Sequence, residues 1–204
     1  KMSDDIAKFY AMRYRLWHRY DEGIQMDETG LYSVTPEKIA VHTAQRLCET
    51  KVIVIDAFAG VGGNSIQFAL QPNCLKVFAI ELDQQRIQHA ENNARVYEAE
   101  EKITFICADF MQMIHLLPSR IEALIRDLDE DEDVNVVVFL APPYGGTHAT
   151  LTEEYDMDEM KPVDAMTLVK LCRTYLSDHI CFLLPKNITF KQIADIVSAS
   201  QTDA

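Results

Sequence analysis

The chain has 204 residues, and 19 Lys and Arg against 32 Asp and Glu give it a formal net charge of −13. Hydrophobic residues make up 48% of the chain and charged residues 25%, which excludes disorder of the chain as a whole. The length suits one domain with a sizeable core. The negative charge argues against a long basic track for a nucleic-acid backbone, but it leaves local recognition of a nucleotide open.

The sequence contains no apolar run of the roughly 20 residues that a membrane-spanning helix needs, and its first residues do not form a secretory signal. The five cysteines are scattered without a CxxC spacing, and the six histidines form no cluster. We therefore expect no metal, no disulfide framework and no membrane contact, and we expect a reducing intracellular compartment.

In chain order, the first predicted unit is a helical lobe over residues 1–50. Residues 4–20 have a helical pattern, and a second helix is predicted to begin with Thr35 as its N-cap and Pro36 as its first residue. We interpret this unit as a lobe or lid over the active site of a second domain, residues 51–204.

Five apolar runs rich in Val, Ile and Phe follow, and their lack of polar alternation predicts buried strands of a parallel sheet. The runs cover residues 51–59, 76–81, 103–108, 134–141 and 179–185. Helical patterns cover residues 64–70, 84–97, 113–128, 164–175 and 190–200. The alternation predicts an α/β fold with a doubly wound, Rossmann-like, mostly parallel sheet and a site at the carboxyl ends of its strands.

A glycine-rich turn, Asp56-Ala-Phe-Ala-Gly60-Val-Gly62-Gly63-Asn64, ends the first strand. Glycines allow a tight turn whose backbone approaches a ligand closely. The third glycine of a dinucleotide-binding G-x-G-x-x-G is missing. An acid four residues before the first glycine suits S-adenosylmethionine (SAM) instead, because the ammonium group of SAM needs acceptors. A plain tight turn is the alternative.

Acids also end the next two strands. Glu81 is placed to accept both hydroxyls of an adenosine ribose. Asp109 is placed to accept from the adenine amino group, with Phe110 packed on the adenine ring. Each acid alone could be surface charge, but three at consecutive strand ends favour a nucleoside site.

The fourth strand runs into Ala141-Pro-Pro-Tyr144-Gly-Gly146. Prolines at positions 142 and 143 restrict the backbone and remove donors, which leaves carbonyl oxygens free to accept from an exocyclic amino group of a base. Tyr144 can stack on that base. A rigid turn that merely ends the strand is the alternative.

The chain resembles the catalytic domain of the trimethylguanosine synthases, which methylate the RNA 5′ cap. The resemblance rests on RYRLWHRYDEGIQMDETGLYSVTPEKIA (13–40), DAFAGVGGNSIQFAL (56–70), AENNARVYEAEEKITFICADF (90–110), APPYGG (141–146) and FLLPKN (182–187). These stretches occur in the family's order over nearly the whole chain. The resemblance implies a class I SAM-dependent methyltransferase fold, with residues 51–204 as the methyltransferase domain.

The resemblance also implies roles for individual residues. It implies a cofactor site for SAM and its product S-adenosylhomocysteine, formed by Thr35, Asp56, Phe58, Gly60, Gly62, Asn64, Glu81, Asp109 and Phe110. It implies a catalytic turn of Ala141, Pro142, Pro143 and Tyr144. It implies contacts to the cap base from Trp17, Asn93 and Tyr144, and to the triphosphate from Lys8 and Lys186.

The chain departs from the family pattern at three of these positions. Glu81 replaces the more usual Asp, Ala141 replaces a common Ser, and Tyr144 stands where the family typically has Trp. Ala141 lacks a side-chain acceptor near the target amine, and Tyr144 offers a weaker stack. We also expect the C-terminal hairpin of a seven-stranded sheet to be absent, as in an excised or incompletely ordered domain.

The sequence thus predicts methylation of the exocyclic N2 of a 7-methylguanosine cap, giving 2,7-dimethyl- or 2,2,7-trimethylguanosine. The resemblance implies a monomer that acts on capped small RNAs of the snRNA and snoRNA class, in the nucleus or nucleolus and also in the cytoplasm. Two alternatives remain open: an amino-group methyltransferase acting on an internal RNA or DNA base, and a cap-binding module with little or no catalysis.

Overall fold

The computed structural model describes residues 4–127, 133–145 and 154–199. Five strands form one sheet: β1 (Val52–Asp56), β2 (Cys74–Glu81), β3 (Ile103–Cys107), β4 (Asn135–Leu140) and β5 (Ile180–Phe182). Their order across the sheet is β3-β2-β1-β4-β5, and all neighbours are parallel. Every residue of β1 is buried, as expected for a central strand covered on both faces. The predicted fold class and all five strands are confirmed.

Ten α-helices lie among the described residues. They are α1 (Asp4–Ala11), α2 (Arg13–Leu16), α3 (Glu28–Ser33), α4 (Glu37–Leu47), α5 (Gly63–Ala69), α6 (Gln84–Val96), α7 (Phe110–Met113), α8 (Leu117–Asp127), α9 (Ala165–Tyr175) and α10 (Phe190–Ala199). One core joins α5 and α6 with the N-terminal lobe, including α4, and a second core on the other face of the sheet joins α7, α8, α9 and α10.

Three helix predictions differ from the structure. The helix predicted over residues 4–20 is two helices, α1 and α2, with a break at Met12, and α2 ends because Trp17 turns to an extended conformation and buries its side chain. The helix predicted over 113–128 is α7 followed by α8, and Pro118 lies in the first turn of α8, where a missing N–H costs nothing. The N-cap of α4 is Pro36 rather than Thr35.

The lobe is fastened to the sheet through α6. Asn93, which is fully buried, donates from Nδ2 to the carbonyls of Gln25 (2.8 Å) and Val61 (3.0 Å) and accepts at Oδ1 from the backbone N–H of Gln25 (2.7 Å). Arg86 Nε donates to Asp27 Oδ2 at 3.0 Å. The division into residues 1–50 and 51–204 stays a prediction, although lobe side chains share a core with the sheet.

Candidate active site

The glycine turn after β1 leaves open space beside the backbone. Gly60 (φ 54°) and Gly62 (φ 88°) both have left-handed conformations that favour glycine. Apart from Gly60 and its two chain neighbours, no described atom lies within 4 Å of the position that a Cβ on Gly60 would take. At Gly62 a Cβ would lie only 3.1 Å from the Cβ of Ala90 on α6. Gly60 therefore faces room for a ligand, whereas Gly62 lets α6 pack closely against the turn.

Asp56, the last residue of β1, is a buried carboxylate with a spare oxygen. Its side chain is 1% exposed, and Oδ2 accepts a hydrogen bond from Ser65 Oγ at 2.6 Å. Oδ1 is buried and has no hydrogen-bond partner among the described residues. Burial raises the pKa of Asp56 to about 6, although hydrogen bonds from Ser65 and from the backbone of Phe58 oppose the rise. A buried acceptor without a partner is unfavourable unless a ligand supplies the donor, so Asp56 fits the ammonium group of SAM.

Glu81 ends β2 beside the same turn. Its Oε2 accepts from the backbone N–H of Gly60 at 2.9 Å, and Oε1 accepts from that of Asp83 at 3.0 Å. A carboxylate has about four acceptor positions, so two protein donors leave capacity for two ribose hydroxyls. The hydrogen bond to Gly60 also supports the conformation of the turn.

The residues after β3 only partly match their predicted roles. Asp109 is half-buried and caps α7, because its Oδ1 accepts from the N–H of Met111 at 2.9 Å. Phe110 was expected to stack on adenine, but its ring is 3% exposed and packs on Phe58, with ring centroids 5.7 Å apart. Since Phe58 is half-buried, it is the ring of this pair that presents surface to a ligand.

Thr35 and Asn64 join the lobe to the first turn of α5. Asn64 Nδ2 donates to Thr35 Oγ1 at 2.9 Å. Asn64 Oδ1 is buried and without a partner among the described residues. The structure therefore brings these two predicted cofactor residues together, beside a second spare acceptor.

The turn after β4 lies next to the glycine turn, because β1 and β4 are neighbours in the sheet. Asp56 is in register with Phe139, and the N–H of Ala57 donates to the carbonyl of Phe139 at 3.1 Å. Pro142 is buried and Pro143 is exposed. No described residue donates a hydrogen bond to the carbonyl oxygens of Ala141 or Pro142. Gly146, the end of the motif, lies outside the described residues.

Tyr144 is half-buried at the end of this turn. Its hydroxyl donates to the backbone carbonyl of Leu183, and its ring meets the ring of Tyr155 edge to face, with centroids 5.6 Å apart. Burial, with a smaller effect of Tyr155, raises the pKa of the Tyr144 hydroxyl well above its usual range. The hydroxyl therefore stays protonated and donates.

Trp17 and Asn93, which were predicted to contact the cap base, are core residues in the structure. Trp17 is 1% exposed, packs on Tyr97 and lies under Gly63, where a Cβ would be 3.8 Å from the indole. Asn93 is fully buried, and both atoms of its amide group bond within the protein. Both predictions are corrected, because a side chain without exposed surface offers no face to a base.

The two predicted triphosphate contacts, Lys8 and Lys186, are both exposed. Lys8 lies on α1 of the lobe, and Lys186 lies three residues beyond Leu183, whose carbonyl accepts from Tyr144. Two further residues escaped the sequence reasoning: Ser65, which orients Asp56, and Tyr155, which supports Tyr144. No motif marks either, since their roles depend on contacts across the fold.

Among the described residues, no group of three or more His, Cys, Asp or Glu is close enough to share a metal ion. Within that same part of the chain, every helix is too short or too polar to cross a membrane.

A parallel sheet of this order, with an acid and a glycine turn after β1 and an acid after β2, defines a class I SAM-dependent methyltransferase. A SAM-dependent methyltransferase from Agrobacterium tumefaciens has a similar fold, with a TM-score of 0.53 and 20% identity over 84% of this chain and 52% of that one. The model of the RNA cap guanine-N2 methyltransferase family matches residues 51–203. The chain belongs to this family.

Two relatives extend the likeness into the lobe. The trimethylguanosine synthase of Schizosaccharomyces pombe is 33% identical over 192 residues, which cover 93% of this chain and 74% of that protein. The trimethylguanosine synthase of Saccharomyces cerevisiae is 27% identical over 196 residues, covering 93% of this chain and 57% of that protein. The predicted family and enzyme class are confirmed.

Proposed function

We propose that this chain transfers a methyl group from SAM to the exocyclic N2 of a 7-methylguanosine RNA cap. The product is a 2,7-dimethyl- or 2,2,7-trimethylguanosine cap, with S-adenosylhomocysteine released. The observation that carries the proposal is the pairing of β1 with β4, which sets the glycine turn and Asp56 beside the Pro-Pro-Tyr turn. Neighbouring strands are about 4.8 Å apart, so a donor at one turn and an amine at the other are close enough for direct transfer.

The donor site consists of residues at the carboxyl ends of β1, β2 and β3. Asp56 Oδ1 accepts from the ammonium group, and Glu81 accepts from the ribose hydroxyls. Asp109 accepts from the adenine amino group, while Phe58 covers the ring. The open space at Gly60 admits the ligand to the backbone. When bound, SAM supplies a methyl group already activated by its sulfonium.

The acceptor site is the turn after β4. The free carbonyl oxygens of Ala141 and Pro142 accept from the N2 amine and so orient its lone pair. Buried Pro142 holds this backbone in place. Because these contacts position the amine, no side chain is needed as a general base, and the proton leaves to water after transfer.

Tyr144 holds the base by stacking. A 7-methylated guanine carries positive charge, which is attracted to the electron-rich face of an aromatic ring. The hydrogen bond from the Tyr144 hydroxyl to Leu183 fixes the ring at one edge. Exposed Lys8 and Lys186 contact the triphosphate. The substrate is a capped small RNA of the snRNA or snoRNA class, and the protein acts as a monomer in the nucleus, the nucleolus and the cytoplasm.

The test is methyl transfer from labelled SAM to 7-methyl-GTP and to GTP side by side. Transfer to 7-methyl-GTP alone supports the proposal. Equal transfer to GTP would favour an enzyme for internal bases, and binding of 7-methyl-GTP without transfer would favour a cap-binding module.

Tyr144→Ala tests the base site. Stacking contributes roughly 1–3 kcal/mol per base, so kcat/KM for 7-methyl-GTP should fall by at least about fivefold while the Kd for SAM stays unchanged. Tyr144→Phe is the matched control, because it keeps the ring and loses only the bond to Leu183. Unchanged turnover by Tyr144→Ala would contradict the assignment.

A further inference from the structure

One stretch of the lobe carries basic residues without any acidic ones. Residues 7–20 contain four of the 19 Lys and Arg and no Asp or Glu, in a chain whose net charge is −13. The same stretch contains three Tyr. Basic residues interleaved with aromatic ones are typical of surfaces that bind single-stranded nucleic acid.

The structure gathers these side chains into a surface that we call the tyrosine–arginine face, made of Lys8, Tyr10, Arg13, Tyr14 and Arg15. The Arg13 guanidinium lies 4.4 Å from the ring centroids of both Tyr10 and Tyr14. Tyr10 and Tyr14 remain 40% and 48% exposed as whole residues. They are therefore held in place by the guanidinium while part of each ring stays open to solvent.

Two acids near this face, Asp21 and Glu22, are already bonded to neighbouring side chains, whereas two cations of the face are without a described ion-pair partner. Tyr14 donates to Asp21 Oδ2 at 2.8 Å, and Glu22 forms an ion pair with Arg19 at 2.7 Å. Lys8 and Arg15 are exposed, and neither has an ion-pair partner among the side chains that the structure describes. These two positive charges are available to phosphates.

The face adjoins the active site through the chain that follows it. Trp17 comes directly after α2 and packs under Gly63, at the start of α5 and the end of the glycine turn. Four residues of helix span about 6 Å, so Arg13 is roughly one nucleotide's length from Trp17. A strand of RNA leaving the acceptor turn can therefore reach the face within a few nucleotides.

We propose that the tyrosine–arginine face binds the RNA from the second nucleotide after the cap onward, stacking bases on Tyr10 and Tyr14 and pairing a phosphate with Arg15, while Lys8 at its edge contacts the triphosphate. This inference rests on the proposed function, because it takes the RNA to enter with its cap at Tyr144. The tyrosine–arginine face thus gives an acidic protein a short, local contact to the RNA chain that follows the cap, which we call the RNA body.

The test compares the binding of two ligands with the same cap, measured in the presence of S-adenosylhomocysteine. One is the dinucleotide 7-methyl-GpppA, and the other is a single-stranded RNA of ten nucleotides with the same capped end. The wild type should bind the capped RNA at least about thirtyfold more tightly, because two stacked bases contribute about fivefold or more each. Arg15→Glu should weaken binding of the capped RNA about fivefold and leave binding of the dinucleotide unchanged. It should also reduce the slope of log K against log salt concentration for the capped RNA by about 0.7. Tyr10→Ala should weaken the capped RNA by at least about fivefold.

Arg126→Glu is the matched control, because Arg126 is exposed on α8, whose buried residues belong to the core on the other face of the sheet. It should bind both ligands like the wild type, and thermal melts should show that all variants are folded. The inference is overturned if the RNA body adds no affinity, as for a face that docks a protein, or if Arg15→Glu weakens both ligands equally.

The two failures are distinguishable. If the wild type transfers no labelled methyl group to 7-methyl-GpppA, the proposed function fails, whereas a missing length dependence in the binding data overturns the tyrosine–arginine face alone.

Discussion

Asp56→Asn should increase the stability of the fold relative to the wild type as the pH rises, and it should also weaken binding of the methyl donor. Asp56 is buried with a pKa of about 6, whereas an Asp in an unfolded chain has a pKa near about 3.9. Between these values the folded state binds more protons than the unfolded state, so this group makes unfolding easier as the pH rises. Below the lower value the carboxyl is neutral in both states, and the penalty vanishes.

The magnitude follows from the two pKa values. A difference of about two units corresponds to about 3 kcal/mol once Asp56 is ionised in both states. Part of that penalty is already present at pH 4.5, so the change between pH 4.5 and 7.5 is about 2 kcal/mol. Asn carries no charge, so the Asp56→Asn variant lacks this pH-dependent penalty. The free energy of unfolding of the variant should therefore rise relative to that of the wild type by about 2 kcal/mol between pH 4.5 and 7.5.

The assay is urea unfolding at pH 4.5, 6.0 and 7.5, followed by circular dichroism and by the fluorescence of Trp17, the single tryptophan. Asp158→Asn is the control, since it makes the same chemical change at an exposed position. In parallel, Asp56→Asn should bind S-adenosylhomocysteine about tenfold or more weakly, because a hydrogen bond to a charged group is worth about 1.5–3 kcal/mol. A stability difference that stays flat from pH 4.5 to 7.5 would refute the burial argument.

Two further substitutions test how the lobe is held. Gly63→Ala would place a Cβ 2.6 Å from Cγ2 of Val34, and this overpacking should lower the free energy of unfolding by about 1–3 kcal/mol in urea. Asn93→Ala removes the hydrogen bonds to Gln25 and Val61 and leaves two partly buried backbone groups of Gln25 and the buried carbonyl of Val61 without these partners, which should cost at least about 2 kcal/mol. In this variant the tryptophan emission should shift to the red at a lower urea concentration than the one at which the helical circular dichroism signal is lost.

The control for both is Ser33→Ala, a change at the end of α3 that should leave stability within about 0.5 kcal/mol of the wild type. If Gly63→Ala has the same free energy of unfolding as the wild type, Val34 moves aside easily and the overpacking argument is wrong. For Asn93→Ala, coincident loss of both signals at the wild-type midpoint would mean that these hydrogen bonds do not fasten the lobe.

Strand positions and strand-end residues could be predicted because they depend on local pattern. Runs such as residues 51–59 are apolar without alternation, and parallel strands meet at one edge by their carboxyl ends. Asp56, Glu81 and the turn at Pro142 therefore had to lie along the same edge. Family resemblance then supplied the chemistry that such an edge performs.

The tertiary structure alone decided which side chains remain available to a ligand. Trp17 and Asn93 matched family positions, yet each is buried by contacts to residues far away in sequence, Gly63 and Gln25 respectively. Likewise, Phe58 rather than Phe110 keeps exposed surface at the donor site. Exposure depends on which distant segments pack together, and a sequence read along the chain records the residue type but not that packing.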